Sequence, residues 1–217
     1  MAMIGILGGT FDPVHFGHLR PALEIQQLLG LQEVRLVPCR LPPHRPQPLA
    51  SAAQRVAMLD AAIGKHPVFR IDTRELQRDG PSWTLDTLVS LRQELGAQGI
   101  CLLLGMDAFR GLSTWHRWHE LLDYCHMAVM TRPGTVLPDQ GELADFIGLH
   151  RVLDAAALEQ HATGLLLFHT VTQLEISGTS IRKQLAAGQD PGYLLPDPVL
   201  AIIDKEGLYA TGNRHEE

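Results

Sequence analysis

Two histidines, His15 and His18, follow directly on a glycine-rich stretch, Gly8-Gly9-Thr10-Phe11-Asp12-Pro13-Val14. Adjacent glycines let backbone N–H groups approach an anion closely, and the free N–H groups at a helix start attract negative charge. The apolar run Met3 to Leu7 in front of the glycines reads as a buried strand, and a helical pattern starts near Phe16. Residues three apart lie on one face of a first helical turn, so the two imidazoles stand side by side. A strand, a glycine turn and a helix start with imidazoles beside it suit a reaction at phosphorus.

A second stretch repeats the device. Ile176 leads into Ser177, Thr179 and Ser180, hydroxyls at another helix start, and Arg182 adds a forked cation in the first turn. Alone, this reads as an ordinary Ser/Thr cap with a solvated arginine. Beside the first motif it becomes a second helix N-terminus facing the same triphosphate. The common nucleotide signatures are absent: no glycine loop ends in Gly-Lys-Ser/Thr, and Gly5, Gly8 and Gly9 do not fit G-x-G-x-x-G. Zinc is not expected, because His15 and His18 have no third ligand at helical spacing and no His-Glu-x-x-His occurs.

These groups need a scaffold, and the 217 residues suffice for one substantial core or one core with a small appendage. With 45% hydrophobic and 19% charged residues, the composition is that of a soluble globular protein. No apolar run reaches the roughly 18 residues that span a bilayer, and no signal-peptide pattern opens the chain. The three cysteines, Cys39, Cys101 and Cys125, form no C-x-x-C pair and read as buried free thiols in a reducing cytoplasm. A net charge of −6 argues against broad nucleic-acid binding but not against a small phosphorylated ligand.

Further strands are expected at Val34–Val37, at Phe69–Ile71, at Ile100–Leu104, at His126–Met130 and at Leu165–Phe168. Helices are expected between them. One stops at Gly30; one is capped by Ser51 and Gln54, with Val56, Leu59 and Ile63 inward; one is capped by Ser82 or Thr84. Helical turns follow Asp107 through Leu122, and a last amphipathic helix ends at Gly207. The four prolines between Arg40 and Pro48 exclude helix and make a semi-rigid loop carrying positive charge. Residues 135–163 are the least readable, with helical composition around Leu143. Alternating strands and helices imply a Rossmann-like, doubly wound α/β fold, a mostly parallel sheet with helices on both faces. Ligands sit outside the carboxyl ends of such strands, where Gly8–His18, Pro38–Arg45, Gly105–Asp107 and Thr131–Arg132 converge.

The stretch from Gly8 to His18 resembles the H-x-G-H motif of the nucleotidylyltransferase superfamily, in its bacterial nicotinate-nucleotide adenylyltransferase form. Ile176 to Arg182 is similar to that family's second signature, I-S-x-T-x-I-R. The segments Pro42-Pro43-His44-Arg45, Pro81-Ser82-Trp83-Thr84, Gly105-Met106-Asp107, Thr114-Trp115, Arg132-Pro133-Gly134 and Leu195-Pro196-Asp197-Pro198-Val199 are also similar to it and stand in the same order. The resemblance covers nearly the whole chain, as a single nucleotidylyltransferase domain with a small C-terminal helical part from about residue 176. Two departures stand out: Gly178 replaces the usual Ser or Ala, with the expectation of a looser turn, and Trp83 replaces a frequent Tyr.

The resemblance implies adenylyl transfer from ATP to nicotinate mononucleotide, giving deamido-NAD and pyrophosphate, with Mg²⁺ on the triphosphate. It implies contact of His18 with the α-phosphate. His15 and the backbone of Gly9 and Thr10 hold phosphates, Thr179, Ser180 and Arg182 grip the β- and γ-phosphates, and Gly8 and Ile176 also belong to the ATP-binding set. Gly105 and Asp107 meet adenosine. The mononucleotide falls to Thr10, Phe11, Asp12, His44, Arg45, Trp83, Thr84, Trp115, His116 and Arg132, with Trp115 stacking on the pyridine ring and N–H groups near Trp83, Thr84 and His116 receiving the carboxylate. Rival readings are transfer to another phosphate such as phosphopantetheine, a fragment of a class I aminoacyl-tRNA synthetase, and a nucleotide sensor without turnover. No nucleic-acid or membrane partner is implied, and the sequence leaves a homo-oligomer open.

Overall fold

The computed structural model describes residues 2–42, 46–172 and 174–210. His44 and Arg45, expected to close over the site, lie outside the described residues. The strands are β1 (Met3–Gly9), β2 (Val34–Pro38), β3 (Phe69–Ile71), β4 (Gly99–Gly105), β5 (His126–Thr131), β6 (Arg151–Val152) and β7 (Leu166–Thr170). They pair in the order β3-β2-β1-β4-β5-β7-β6, and each pairing is parallel. All carboxyl ends therefore meet at one rim. β1 lies between β2 and β4, so the order of the strands reverses beside β1 and opens a crevice there.

The helices are α1 (Phe16–Leu29), α2 (Ala52–Ile63), α3 (Arg74–Gln77), α4 (Thr84–Leu95), α5 (Met106–Arg110), α6 (Leu121–Tyr124), α7 (Glu142–His150), α8 (Gly178–Ala186) and α9 (Asp197–Glu206). They cover both faces of the sheet. Along β1, Met3 and Leu7 join Ala22 and Ile25 of α1, Met58 and Leu59 of α2, and Val199 and Ile203 of α9 in one buried cluster. Ile4 and Ile6, on the opposite pleat, join Leu85, Leu88 and Leu91 of α4 in another. Each fully buried aliphatic side chain contributes roughly 1.5–3 kcal/mol, so β1, buried on both sides, is held firmly behind the glycine turn.

Helix ends follow local chemistry. Gly30 and Gly207 end α1 and α9 in the left-handed conformation, at φ 58° and φ 60°. Ser51 caps α2 with Gln54 in a reciprocal box.

Other expectations need correction. α2 buries Arg55, Met58 and Leu59, with Val56 and Ile63 only half-buried. The cap of α4 is neither Ser82 nor Thr84: Trp83 holds the cap position, Thr84 is the first helical residue, and Ser82 Oγ accepts from the Arg40 N–H at 2.9 Å. The turns after Asp107 are broken into α5, α6 and two short 3-10 segments, Leu112–Thr114 and Trp118–Glu120. The stretch 135–163 contains α7, the two-residue edge strand β6 and a 3-10 turn, Ala155–Gln160.

Candidate active site

The first motif occupies the turn from β1 into α1. Gly8 is exposed and Gly9 and Thr10 are half-buried, so their backbone faces the rim. His15 is the cap residue of α1 and is buried. His18 lies one turn on, with its ring stacked on His15 at 3.7 Å between centroids. Its Nδ1 accepts from the His15 N–H at 3.3 Å. In the neutral ring that bond places the proton on Nε2, making His18 a donor at its outer edge. Phe11 stands edge-on to His18 at 5.1 Å. Gly17 permits this crowding, since a Cβ there would come within 2.9 Å of His15 Nδ1 and 3.1 Å of the Ile176 carbonyl.

Burial pushes the His15 imidazole down to about 4, because charging it would strand a cation away from water. Its Nδ1 has no hydrogen-bond partner among the described residues. His15 is therefore neutral at pH 7. Above the ordinary value near 6.5 the ring is neutral folded or unfolded, and pH has no effect through it. As pH falls from about 6.5 to 4, only the unfolded chain takes the proton. Stability is expected to drop by roughly 3 kcal/mol over that window through this residue. Urea melts at pH 7 and pH 4.5 check it, with His15→Gln expected to lose much of the wild-type pH dependence; equal slopes for the two proteins would refute it.

The second motif is packed directly against the first. Ser177 caps α8, its Oγ accepting from the Ser180 N–H at 3.1 Å. Arg182 Nη1 donates to the Asp12 carbonyl at 2.5 Å, and Nη2 donates to Thr179 Oγ1 at 3.3 Å. The arginine is thus a strut between the two motifs rather than a solvated cation. Gly178 lies close against the first motif. A Cβ there would come within 3.0 Å of the Asp12 carbonyl, so the glycine admits the first motif against the second. Thr179 and Ser180 remain exposed at the rim beside Arg182.

Asp12 and Phe11 turn inward instead of facing the crevice. The Asp12 carboxylate accepts from the Leu49 N–H at 2.8 Å, the Ala50 N–H at 3.1 Å and the Tyr209 hydroxyl at 2.6 Å. It fastens the base of the proline-rich loop and the segment after α9 to the first motif. Burial and the acceptor carboxylate push the Tyr209 phenol upward, so it stays a donor. Phe11, 1% exposed with φ 50°, packs its ring under Gly9 as a floor for the turn.

The remaining rim residues come from neighbouring strands. Gly105 and Asp107 follow β4 and are exposed. Arg132 follows β5 and reaches Glu175, just before the second motif, at 3.2 Å. Trp83 stacks with His116 at 4.9 Å, and Trp115 is half-buried against the α4 side of the core. The Ser82 N–H donates to the Leu41 carbonyl at 3.0 Å, joining this aromatic corner to the proline-rich loop. The Trp83 N–H donates to Pro81 O at 3.0 Å and is not available to a carboxylate; the first-turn N–H groups of α4 have no side-chain cap. Arg40 pairs with Asp79 at 2.6 Å and donates to the Arg78 carbonyl at 2.8 Å.

Two contributors escaped the sequence reading. Tyr209 gave no local signal. Arg55 did, since a charged residue sits on the stripe that buries Met58 and Leu59. Its Nη1 donates to the Thr10 carbonyl at 2.8 Å from beneath the first motif.

Known proteins resemble this chain in sequence and in fold. A family model described as cytidylyltransferase-like matches residues 6–184. A protein of Aeromonas hydrophila named "Probable nicotinate-nucleotide adenylyltransferase" is 50% identical over 206 residues, 95% of this chain and 96% of its own length. One of Methylococcus capsulatus with the same name is 47% identical over 209 residues, 96% of this chain and 100% of its own. The solved nicotinic acid mononucleotide adenylyltransferase of Plasmodium falciparum, in complex with NaAD, shares the fold at a TM-score of 0.72 and 18% identity, covering 96% of this chain and 98% of that one. The two motifs, their joint rim and this near-full-length identity agree: the chain belongs to the cytidylyltransferase-like family and, within it, to the nicotinate-nucleotide adenylyltransferases.

Proposed function

We propose that the chain transfers the adenylyl group of ATP to nicotinate mononucleotide, releasing pyrophosphate and forming deamido-NAD, with Mg²⁺ entering as the counter-ion of ATP. The observation that carries this is the strut from Arg182 to the Asp12 carbonyl, which sets two helix starts against one rim. The mononucleotide's 5′-phosphate is ionised at neutral pH and needs no base. Its oxygen attacks the α-phosphorus, and the bond from that phosphorus to the bridging β-oxygen breaks in line. The protein's task is alignment and charge stabilisation. His18 donates from Nε2 to the α-phosphate oxygen as charge builds there. Gly8, Gly9, Thr10 and buried, neutral His15 shape the cradle. Thr179, Ser180 and Arg182 hold the departing pyrophosphate, and Asp107 accepts from the ribose.

Among the described residues no group of three or more His, Cys, Asp and Glu is placed to hold a metal. Mg²⁺ would enter with ATP and neutralise the triphosphate charge, held mainly by phosphate oxygens and water as is usual for a small hard cation. Trp115 and His116 face the pyridine ring. The uncapped N–H groups at the start of α4 suit its carboxylate, which nicotinamide lacks. No helix among the described residues is long and apolar enough to cross a membrane. A cytoplasmic setting is part of the proposal on a separate ground, the use of ATP as substrate.

Pyrophosphate release from ATP and Mg²⁺ is the test, with nicotinate, nicotinamide and phosphopantetheine acceptors compared. Rapid release with nicotinate mononucleotide alone is expected. None with it, or more with phosphopantetheine, rejects the reading.

A further inference from the structure

Arg55 is 2% exposed, beneath the turn that carries the first motif. Arginine is almost never fully buried unless paired. None of the ion pairs among the described residues includes it. Its Nε has no hydrogen-bond partner among them either. The observed bond runs from Nη1 to the Thr10 carbonyl at 2.8 Å. The Thr10–Phe11 peptide is not among the cis bonds, so its N–H points opposite to its C=O. Drawing the carbonyl inward turns the Phe11 N–H away from the buried side of the turn. At the same time a positive charge is held in a low-dielectric place directly behind the cradle. A buried cation with no anion at ion-pair distance among the described residues is a cost that an anion arriving from outside would relieve.

We propose that Arg55 is a positioning residue for phosphate binding: it fixes the Thr10 peptide and supplies the buried positive charge that the triphosphate answers. The proposal rests on the reading of Gly8–His18 as the phosphate cradle. It assigns Arg55 no contact with substrate. Its effect reaches ATP through the Thr10 peptide and through the field, so it should depend on the phosphates and not on the adenine or ribose.

Titration calorimetry of the folded protein with a non-hydrolysable α,β-methylene ATP, and with adenosine as the phosphate-free probe, tests this. Arg55→Gln keeps a donor and removes the charge, and Arg55→Lys keeps the charge and loses the fork. Arg55→Gln is expected to bind the ATP analogue about 10- to 100-fold more weakly, the scale of one lost charged interaction. Arg55→Lys should stay within about 3-fold of wild type on the same reasoning, and neither change should move adenosine binding. Analogue affinity unchanged in Arg55→Gln, or adenosine weakened by the same factor, overturns the proposal. Should Arg55→Gln not fold, Arg55→Met takes its place, since apolar replacements of buried charges are often well tolerated. Failure of both to fold makes the guanidinium part of the fold alone and also overturns it. Wild-type protein that does not bind the ATP analogue sinks the cradle reading itself, a result separable from the Arg55 outcomes.

Discussion

His18→Ala lowers kcat for pyrophosphate release by at least about 10²-fold, the usual loss for one transition-state donor, with a much smaller change in KM for ATP. The geometry gives the reason. The His15 N–H holds His18 Nδ1 at 3.3 Å and the His15 ring stacks beneath it, so the donor edge is set before substrate arrives. Alanine keeps the helix and deletes only the donor. His18 is half-buried, so little stability is lost with it. Steady-state rates at saturating ATP and mononucleotide decide the matter. A kcat within about 3-fold of wild type, far short of the donor scale, contradicts the role.

Arg182→Ala is expected to lower kcat/KM for ATP by about 10²- to 10³-fold, more than a lone surface cation supplies, because two things vanish together. One is the charge beside Thr179 and Ser180. The other is the strut to the Asp12 carbonyl, which then loses its donor in a half-buried place. Lysine brings back the charge but cannot bridge the Asp12 carbonyl and Thr179 Oγ1 in one plane, so Arg182→Lys should recover only part of the loss. Full recovery by lysine would show that charge alone matters. A loss seen only in urea melts, with kcat/KM intact, would assign Arg182 to the fold.

The parts of the chain legible in sequence were those set by neighbours in sequence. β1 ran as an unbroken apolar stretch, and Gly30, Ser51 and Gly207 announced helix ends through backbone conformation and hydroxyl capping. The convergence of Gly8–His18 with Gly105–Asp107 and Thr131–Arg132 was legible because parallel strands share a rim. What escaped was set by distant contacts. The inward turn of Asp12 depends on Leu49, Ala50 and Tyr209, none of them near it in sequence. Arg55 lies on the stripe that buries Met58 and Leu59, but its partner, the Thr10 carbonyl, is 45 residues away and shows only in the fold. The short helices after β4 have too few residues for a periodic pattern to declare itself.

The Tyr209–Asp12 bond spans 197 residues. Contacts that far apart close late, because the chain between them must first be ordered. On the ribosome, the turn holding Gly9 to Asp12 emerges early and waits for Tyr209 before its carboxylate is fully engaged. A nascent chain stopped after β7 would carry both histidines and the whole sheet, yet its first motif would lack both Arg182 and the tyrosine clasp. The first motif is thus fully braced only in chains synthesised at least as far as the clasp.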